Sequence, residues 1–329
     1  MTRPTSFTRA FTVLALAPAL VLSGCAASTL ATPSPSTASS EATSFTNCGV
    51  TVPLTGPPER VITIKSTSTA MLLALGLQDR IVGTAFQDGP VPEVWADAAA
   101  DIPVLADKVP SQEVVLNANP DFVYAGWESN FSAGGAGDRA DLAVLGIRTY
   151  VSPAACKEAN YQPRQLTFDD IDHEIGEIAA LFGVDDTALL AEQHATLDAI
   201  DKDQRGLTAL WFSSGSDIPY VGAGIGAPQL VLDTIGVENI AAEVKDTWSS
   251  YNWETVVAAN PDVIVLVDAS WSTSAKKIGV LEGNPATAKL DAVKNHRYLI
   301  IPFAASEAGV RTVEAAADLA AQLRDLKLG

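Results

Sequence analysis

Ser111-Gln112-Glu113-Val114-Val115-Leu116-Asn117-Ala118-Asn119-Pro120-Asp121 and, 141 residues later, Asn252-Trp253-Glu254-Thr255-Val256-Val257-Ala258-Ala259-Asn260-Pro261-Asp262 are two versions of one pattern. Each opens on a good helix N-cap, Ser111 or Asn252. A glutamate follows two positions on, then an apolar stripe at helical spacing, then Asn-Pro-Asp. Proline cannot continue a helix and biases the residue before it away from helical geometry, so each copy ends there. A strand follows at once, Phe122-Val123-Tyr124-Ala125 in one case and Val263-Ile264-Val265-Leu266-Val267 in the other. Two copies are too few for a solenoid. They predict two similar α/β lobes.

Working outward, residues 60–64, 81–84 and 148–151 read as further strands of the first lobe, and 208–212 and 297–301 as strands of the second. Helical stretches lie between them, 69–75 closed by Gly76 and 227–235 closed by Gly236. Strands alternating with helices predict mainly parallel sheets. Between the lobes, Thr167 caps a helix with Phe168, Ile171, Ile175, Ile178 and Leu181 on one face, broken at Gly183-Val184-Asp185-Asp186. A second helix is expected over 187–203, about 25 Å long at 1.5 Å per residue. Such a rod predicts little lobe motion.

The N-terminus carries Arg3 and Arg9, an apolar run of 13 residues at 10–22, and then Leu22-Ser23-Gly24-Cys25. That order is an export signal. The run is shorter than the roughly 20 apolar residues a membrane helix needs. The tetrapeptide resembles the lipobox of bacterial lipoproteins, which implies acylation of Cys25 after removal of residues 1–24. Residues 26–46 are almost all Ala, Ser, Thr and Pro, with Glu41 the one charge. Such a segment buries too little apolar surface to order itself; it is expected to be a tether with a reach of roughly 25 Å. Loss of Arg3 and Arg9 leaves 19 Lys and Arg against 39 Asp and Glu, a charge of about −20. Nucleic acid and anionic lipid surfaces would repel such a body, leaving the lipid anchor as its membrane attachment. The same charge favours a soluble monomer.

With Cys25 acylated, Cys48 and Cys156 remain in an oxidising compartment, either bridged or as separate thiols. A bridge would close a loop of 108 residues, worth about 4–5 kcal/mol in the chain-entropy treatment. No metal is expected: His173, His194 and His296 have neither ligand spacing nor a nearby cysteine. Gly222-Ala223-Gly224-Ile225-Gly226 lacks the context of a dinucleotide loop. An exported hydrolase is the alternative of a different class. The chain has no Gly-x-Ser-x-Gly elbow, and Ser213-Ser214 has no evident histidine partner. It is therefore not expected to be an enzyme.

Lipobox, tether, lobe, helix and lobe together resemble a class III substrate-binding lipoprotein of an ABC importer, the class that includes iron–siderophore, haem and cobalamin binders. The resemblance covers residues from about 47 to 325 and implies a small-molecule ligand and an ABC permease homodimer with ATPase subunits. It also implies that Glu113 and Glu254 meet arginines of the two permease subunits. A carboxylate in a first helical turn is favoured in any case by about 0.3–1 kcal/mol. The division it suggests is 1–24 signal, 25–46 tether, 47–184 N-terminal lobe, 185–205 linking helix and 206–329 C-terminal lobe. Several segments, among them Tyr124-Ala125-Gly126-Trp127-Glu128-Ser129-Asn130-Phe131 and Pro219-Tyr220-Val221-Gly222-Ala223-Gly224, are similar to an actinobacterial subfamily of importer binding proteins for the deazaflavin precursor of coenzyme F-420.

Ligands in open α/β sheets sit beyond strand C-termini. The residues expected there are Lys65, Ser66, Thr67 and Phe86 with Gln87-Asp88, then Trp127, Glu128, Ser129 and Asn130 in the first lobe. In the second they are Ser213-Ser214, Tyr220, Trp248, Trp271 and Phe303, with Glu307 and Arg311 beyond. Aromatic plates beside hydroxyls suit a ring with a polyol tail. Lys65, Lys108 or Arg311 would meet an anionic end. A deazaflavin fits that description, and a ferric siderophore, haem or cobalamin is the alternative; any of these would be transported ligand, not cofactor.

Overall fold

The computed structural model describes residues 44–327 apart from 54 and 159. Cys25 and the signal segment lie outside the described residues, as does the tether up to residue 43. Among the described residues the first strand starts at Ser44, three residues ahead of the start at Asn47 expected from sequence. Strands β1 (Ser44–Asn47) and β2 (Val50–Pro53) form an antiparallel hairpin. Cys48 and Gly49 turn it with positive φ at both positions, the geometry that matches strand twist. The Asn47 side chain exchanges two hydrogen bonds of 2.8 Å with the backbone of Val151. Arg139 donates to the Asn47 carbonyl and side-chain oxygen, and Cys48 is bonded to Cys156. These ties order residues 44–46, which by composition alone read as tether.

The N-terminal lobe is built on β3 (Val61–Ile64), β4 (Ile81–Ala85), β5 (Val104–Ala106), β6 (Phe122–Ala125) and β7 (Arg148–Val151). All neighbours are parallel, in the order β5-β4-β3-β6-β7. Both faces are covered. Phe122 and Tyr124 point to one core with Val61 and the helix residues Met71, Ile175 and Ile178. Val123 and Ala125 point to the other with Ile62, Val115 and Leu142. This is the period-2 alternation of a sheet buried on both sides.

The C-terminal lobe holds β8 (Thr208–Ser214), β9 (Tyr220–Gly222), β10 (Glu238–Asn239), β11 (Trp248–Ser250), β12 (Val263–Asp268) and β13 (Tyr298–Pro302). Strands β8, β12 and β13 run parallel. At its free side β8 pairs with β10 along its first residues and with antiparallel β9 along its last, and β11 extends the edge. Two α/β lobes with mainly parallel sheets agree with the sequence reading; the antiparallel edge was not foreseen.

The repeat shows why the lobes match. Asn119 and Asn260 both take left-handed backbone, with φ of 50° and 43°. The following Asp then clamps the start of the neighbouring central strand. Asp121 accepts from the amides of Glu59 and Arg60, and Asp262 from the amide and hydroxyl of Thr208. In return each aspartate's own amide donates to Arg60 or Thr208. One tripeptide thus ends a helix, reverses the chain and registers β6 on β3 and β12 on β8.

The connection is helical but shorter than expected. The Phe168–Phe182 helix has a reciprocal Thr167–Asp170 capping box, packs its apolar face on the N-terminal lobe and ends at Gly183 in left-handed geometry. The second helix is Thr187–Asp198, about 18 Å instead of 25 Å. It stops because the C-terminal lobe captures the chain: the Asp203 amide donates to Ile235, the Asp203 carboxylate takes Arg205, and Ile200 joins that lobe's core. The lobes also touch directly, since Ala227, Leu230, Ala308 and Val310 pack into the N-terminal core. Among the described residues no helix is long and apolar enough to cross a membrane.

Candidate functional site

A cavity of about 660 Å³ lies between the lobes, walled by residues that follow strand ends in both sheets. That volume is within the range of small-molecule sites, roughly 300–1,000 Å³. Beyond β6, Gly126 and Trp127 enter it; at the end of β8, Ser213 and Ser214; beyond β12, Trp271; beyond β13, Phe303 and Glu307. A side chain at Gly126 would collide with Thr67 and with the stem of Lys65, so only glycine lets β6 leave the sheet here.

Of the expected ligand residues, the structure brings Thr67, Trp127, Ser129, Tyr220, Trp248, Trp271 and Phe303 together on the cavity wall, with Ser213, Ser214 and Glu307. Tyr220 and Trp248 are nearly parallel, 12° apart with centroids at 6.5 Å, and Trp248 and Phe303 are 16° apart at the same spacing. Trp271 and Trp127 meet Phe303 edge-on, at 5.5 and 6.2 Å. Flat aromatic faces of this kind receive a planar guest by offset stacking.

The other expected residues do different work. Lys65 is fully buried behind the wall, paired with Asp88, so it offers no ammonium to a solute. Burial presses its ammonium downward and the Asp88 carboxyl upward, and their mutual attraction opposes both. Ser66 accepts from the Asp88 amide. Phe86 packs edge-on behind Trp127 at 5.8 Å, and buried Asn130 accepts from the Trp127 amide at 3.2 Å. Glu128 accepts from the Lys157 amide. Lys108 is exposed, outside the cavity. Arg311 lines a separate small crevice beside Ser66 and pairs with Glu314 at 3.2 Å. The anion partners expected from sequence are therefore displaced: the cations on this wall are Lys157 and Lys245.

Those two were missed, as were Ser152, Gln162, Asp246 and Thr247. Lys157 follows Cys156, and the Cys48–Cys156 bond staples this stretch of wall to the hairpin; the cysteine was a usable signal. Lys245 precedes β11, a strand too short to read from sequence. Glu307 has its carboxyl raised to about 7 by burial, against the pull of Lys65 and of the Trp127 indole that donates to it. Among the described residues no cluster of three or more His, Cys, Asp or Glu could hold a metal ion.

Glu113 and Glu254 occupy matched places, second in the Gln112–Asn117 and Trp253–Ala259 helices. Both are exposed, and among the described residues neither carboxylate has an ion-pair or hydrogen-bond partner. The Ser111 hydroxyl caps Val114 and the Asn252 side chain caps Glu254.

Comparison with known proteins agrees with this geometry. The chain is 26% identical over 271 residues to the uncharacterized ABC transporter substrate-binding lipoprotein YvrC of Bacillus subtilis, covering 80% of this chain and 79% of that one. A periplasmic binding protein from Veillonella parvula superposes with a TM-score of 0.76 at 25% identity, over 87% of this chain and 98% of that one. An ABC-type Fe3+-hydroxamate transport system structure from Saccharomonospora viridis gives 0.74 at 25% identity, over 86% and 99%. The family model described as periplasmic binding protein matches residues 61–305, most of the folded body, and the chain belongs to that family.

Proposed function

We propose that this protein is the solute-capturing, non-catalytic component of an ABC importer, held outside the cytoplasm by lipid on Cys25, and that its solute is a planar aromatic molecule with an anionic end. The observation that carries the solute class is the run of near-parallel Tyr220, Trp248 and Phe303 rings in a cavity that also presents Lys157 and Lys245. A deazaflavin precursor of coenzyme F-420 has that form. The Cys48–Cys156 bond supports an oxidising compartment. Glu113 and Glu254, exposed one per lobe at the same structural position, suit a two-fold permease with directional Arg–carboxylate pairing.

The test is native mass spectrometry and fluorescence of the protein purified from the cells that make it. Bound deazaflavin mass and yellow-green emission support the reading. Bound ferric iron would replace it with a siderophore reading, which the 25% identity to the Saccharomonospora viridis structure favours as second choice. Docking is tested by uptake with Glu113→Gln and Glu254→Gln together: loss of transport with solute binding retained is expected, and unchanged uptake rejects it.

A further inference from the structure

Beneath the cavity the lobes are joined by polar contacts that composition does not announce. Lys65 directly follows β3 with a φ of 83°, and Phe86 directly follows β4 with a φ of 51°. Neither is glycine, and side-chain-bearing residues hold such backbone only where their surroundings over-determine it. The Lys65 ammonium pairs with Asp88 and lies 3.8 Å from the Trp127 ring, 4.3 Å from Phe86 and 4.7 Å from Phe303. Phe303 belongs to the opposite lobe. A second bond crosses the same seam, from Trp127 Nε1 to Glu307 Oε2 at 2.5 Å, between residues 180 apart in the chain. Trp127, Phe303 and Glu307 are also cavity wall. A buried charge pair is weak evidence for stability, because well-packed apolar residues often serve as well. What the charges supply here is geometry.

We propose that Lys65 and Glu307 are positioning residues, which lock Trp127 against the opposite lobe and hold the aromatic wall in its solute-binding arrangement independently of the solute. This rests on the cavity being the solute site. An ammonium caged by rings from both lobes resists their separation, and the Glu307 acceptor fixes the indole plane. Solute then enters a preformed cleft, and affinity is not spent on closing it.

The experiment is hydrogen exchange of tryptophan indoles in the full-length chain in detergent, followed by nuclear magnetic resonance with the Trp127 signal assigned by its loss in Trp127→Phe. Lys65→Met keeps volume and removes charge; Glu307→Gln keeps shape and weakens the acceptor. At least tenfold faster exchange at Trp127, with Trp211 and Trp253 unmoved, is expected in both. In wild type the Trp127 resonance should also shift through pH 7 as Glu307 titrates among Lys65, Asp88 and Tyr220; Glu307→Gln should abolish that shift. Should Lys65→Met not fold, Glu307→Gln decides alone. Exchange within twofold of wild type in the folded variants, or a pH response that survives Glu307→Gln, overturns the proposal. Solute identity is read separately by mass, so a locked wall with another solute and a deazaflavin on an unlocked wall are distinct results.

Discussion

Glu174 offers the sharpest quantitative prediction. It sits on the Phe168–Phe182 helix, fully buried, where its Oε1 accepts from the Tyr124 hydroxyl at 2.6 Å. Burial raises its carboxyl to about 7 from an ordinary 4.5, with Glu177 adding to the rise and the hydroxyls of Tyr124 and Ser152 opposing it. A raised folded pKa means that stability is fully present below the unfolded value and is lost as pH climbs toward the folded one. The unfolded chain sheds this proton near pH 4.5, whereas the folded chain keeps it to about pH 7. At 1.36 kcal/mol per pH unit, the loss approaches about 3 kcal/mol by pH 8. Glu174→Gln removes that slope and leaves the one from Glu307 untouched. Urea unfolding followed by circular dichroism, disulfide intact, should find the variant close to wild type at pH 4.5 and more stable by about 3 kcal/mol at pH 8. A difference between the two proteins that stays constant within about 0.5 kcal/mol from pH 4.5 to 8 would refute the reasoning, since the ionisation would then cost the fold nothing.

Replacing Cys48 and Cys156 with alanine should lower stability by about 4–5 kcal/mol, the loop-closure term for residues 108 apart; recovery of both as free thiols from the non-reduced wild type would contradict the bond. Gly126→Ala forces Thr67 and Lys65 aside, and a loss of about 1–3 kcal/mol is expected by thermal unfolding. Trp248→Ala removes the middle ring of the parallel run; solute affinity measured by calorimetry should fall about tenfold, and stopped-flow kinetics should show the change in koff rather than kon. Asp121→Ala and Asp262→Ala each strip a strand start of two hydrogen bonds, so each should cost about 2–3 kcal/mol, and a large difference between them would break the equivalence of the lobes.

The fold was legible in the sequence wherever a few neighbouring residues do the work. Ser111, Asn252 and Thr167 cap helices within three positions of themselves, and Asn119 and Asn260 turn the chain before proline. The Thr187–Asp198 helix ends early for a reason no local pattern carries: Asp203 is held by Ile235 across the lobe. The hairpin at Ser44 was hidden in the same way, because its order comes from Val151, Arg139 and Cys156, about a hundred residues away.

What the sequence determined by itself was a duplicated α/β unit, its helix ends and turns, and the aromatic residues at strand ends, because hydrogen-bond caps and side-chain periodicity act over a few residues. Tertiary structure alone decided which of those side chains see the cavity. Lys65 reads as a free cation and is buried under Trp127, while Lys157 and Lys245 carry the charge on the wall. Trp127 and Glu307 become partners only when two separately folded sheets bring their strand ends to one seam. Whether a charged group is exposed, and at what pH it titrates, depends on how much water that meeting removes.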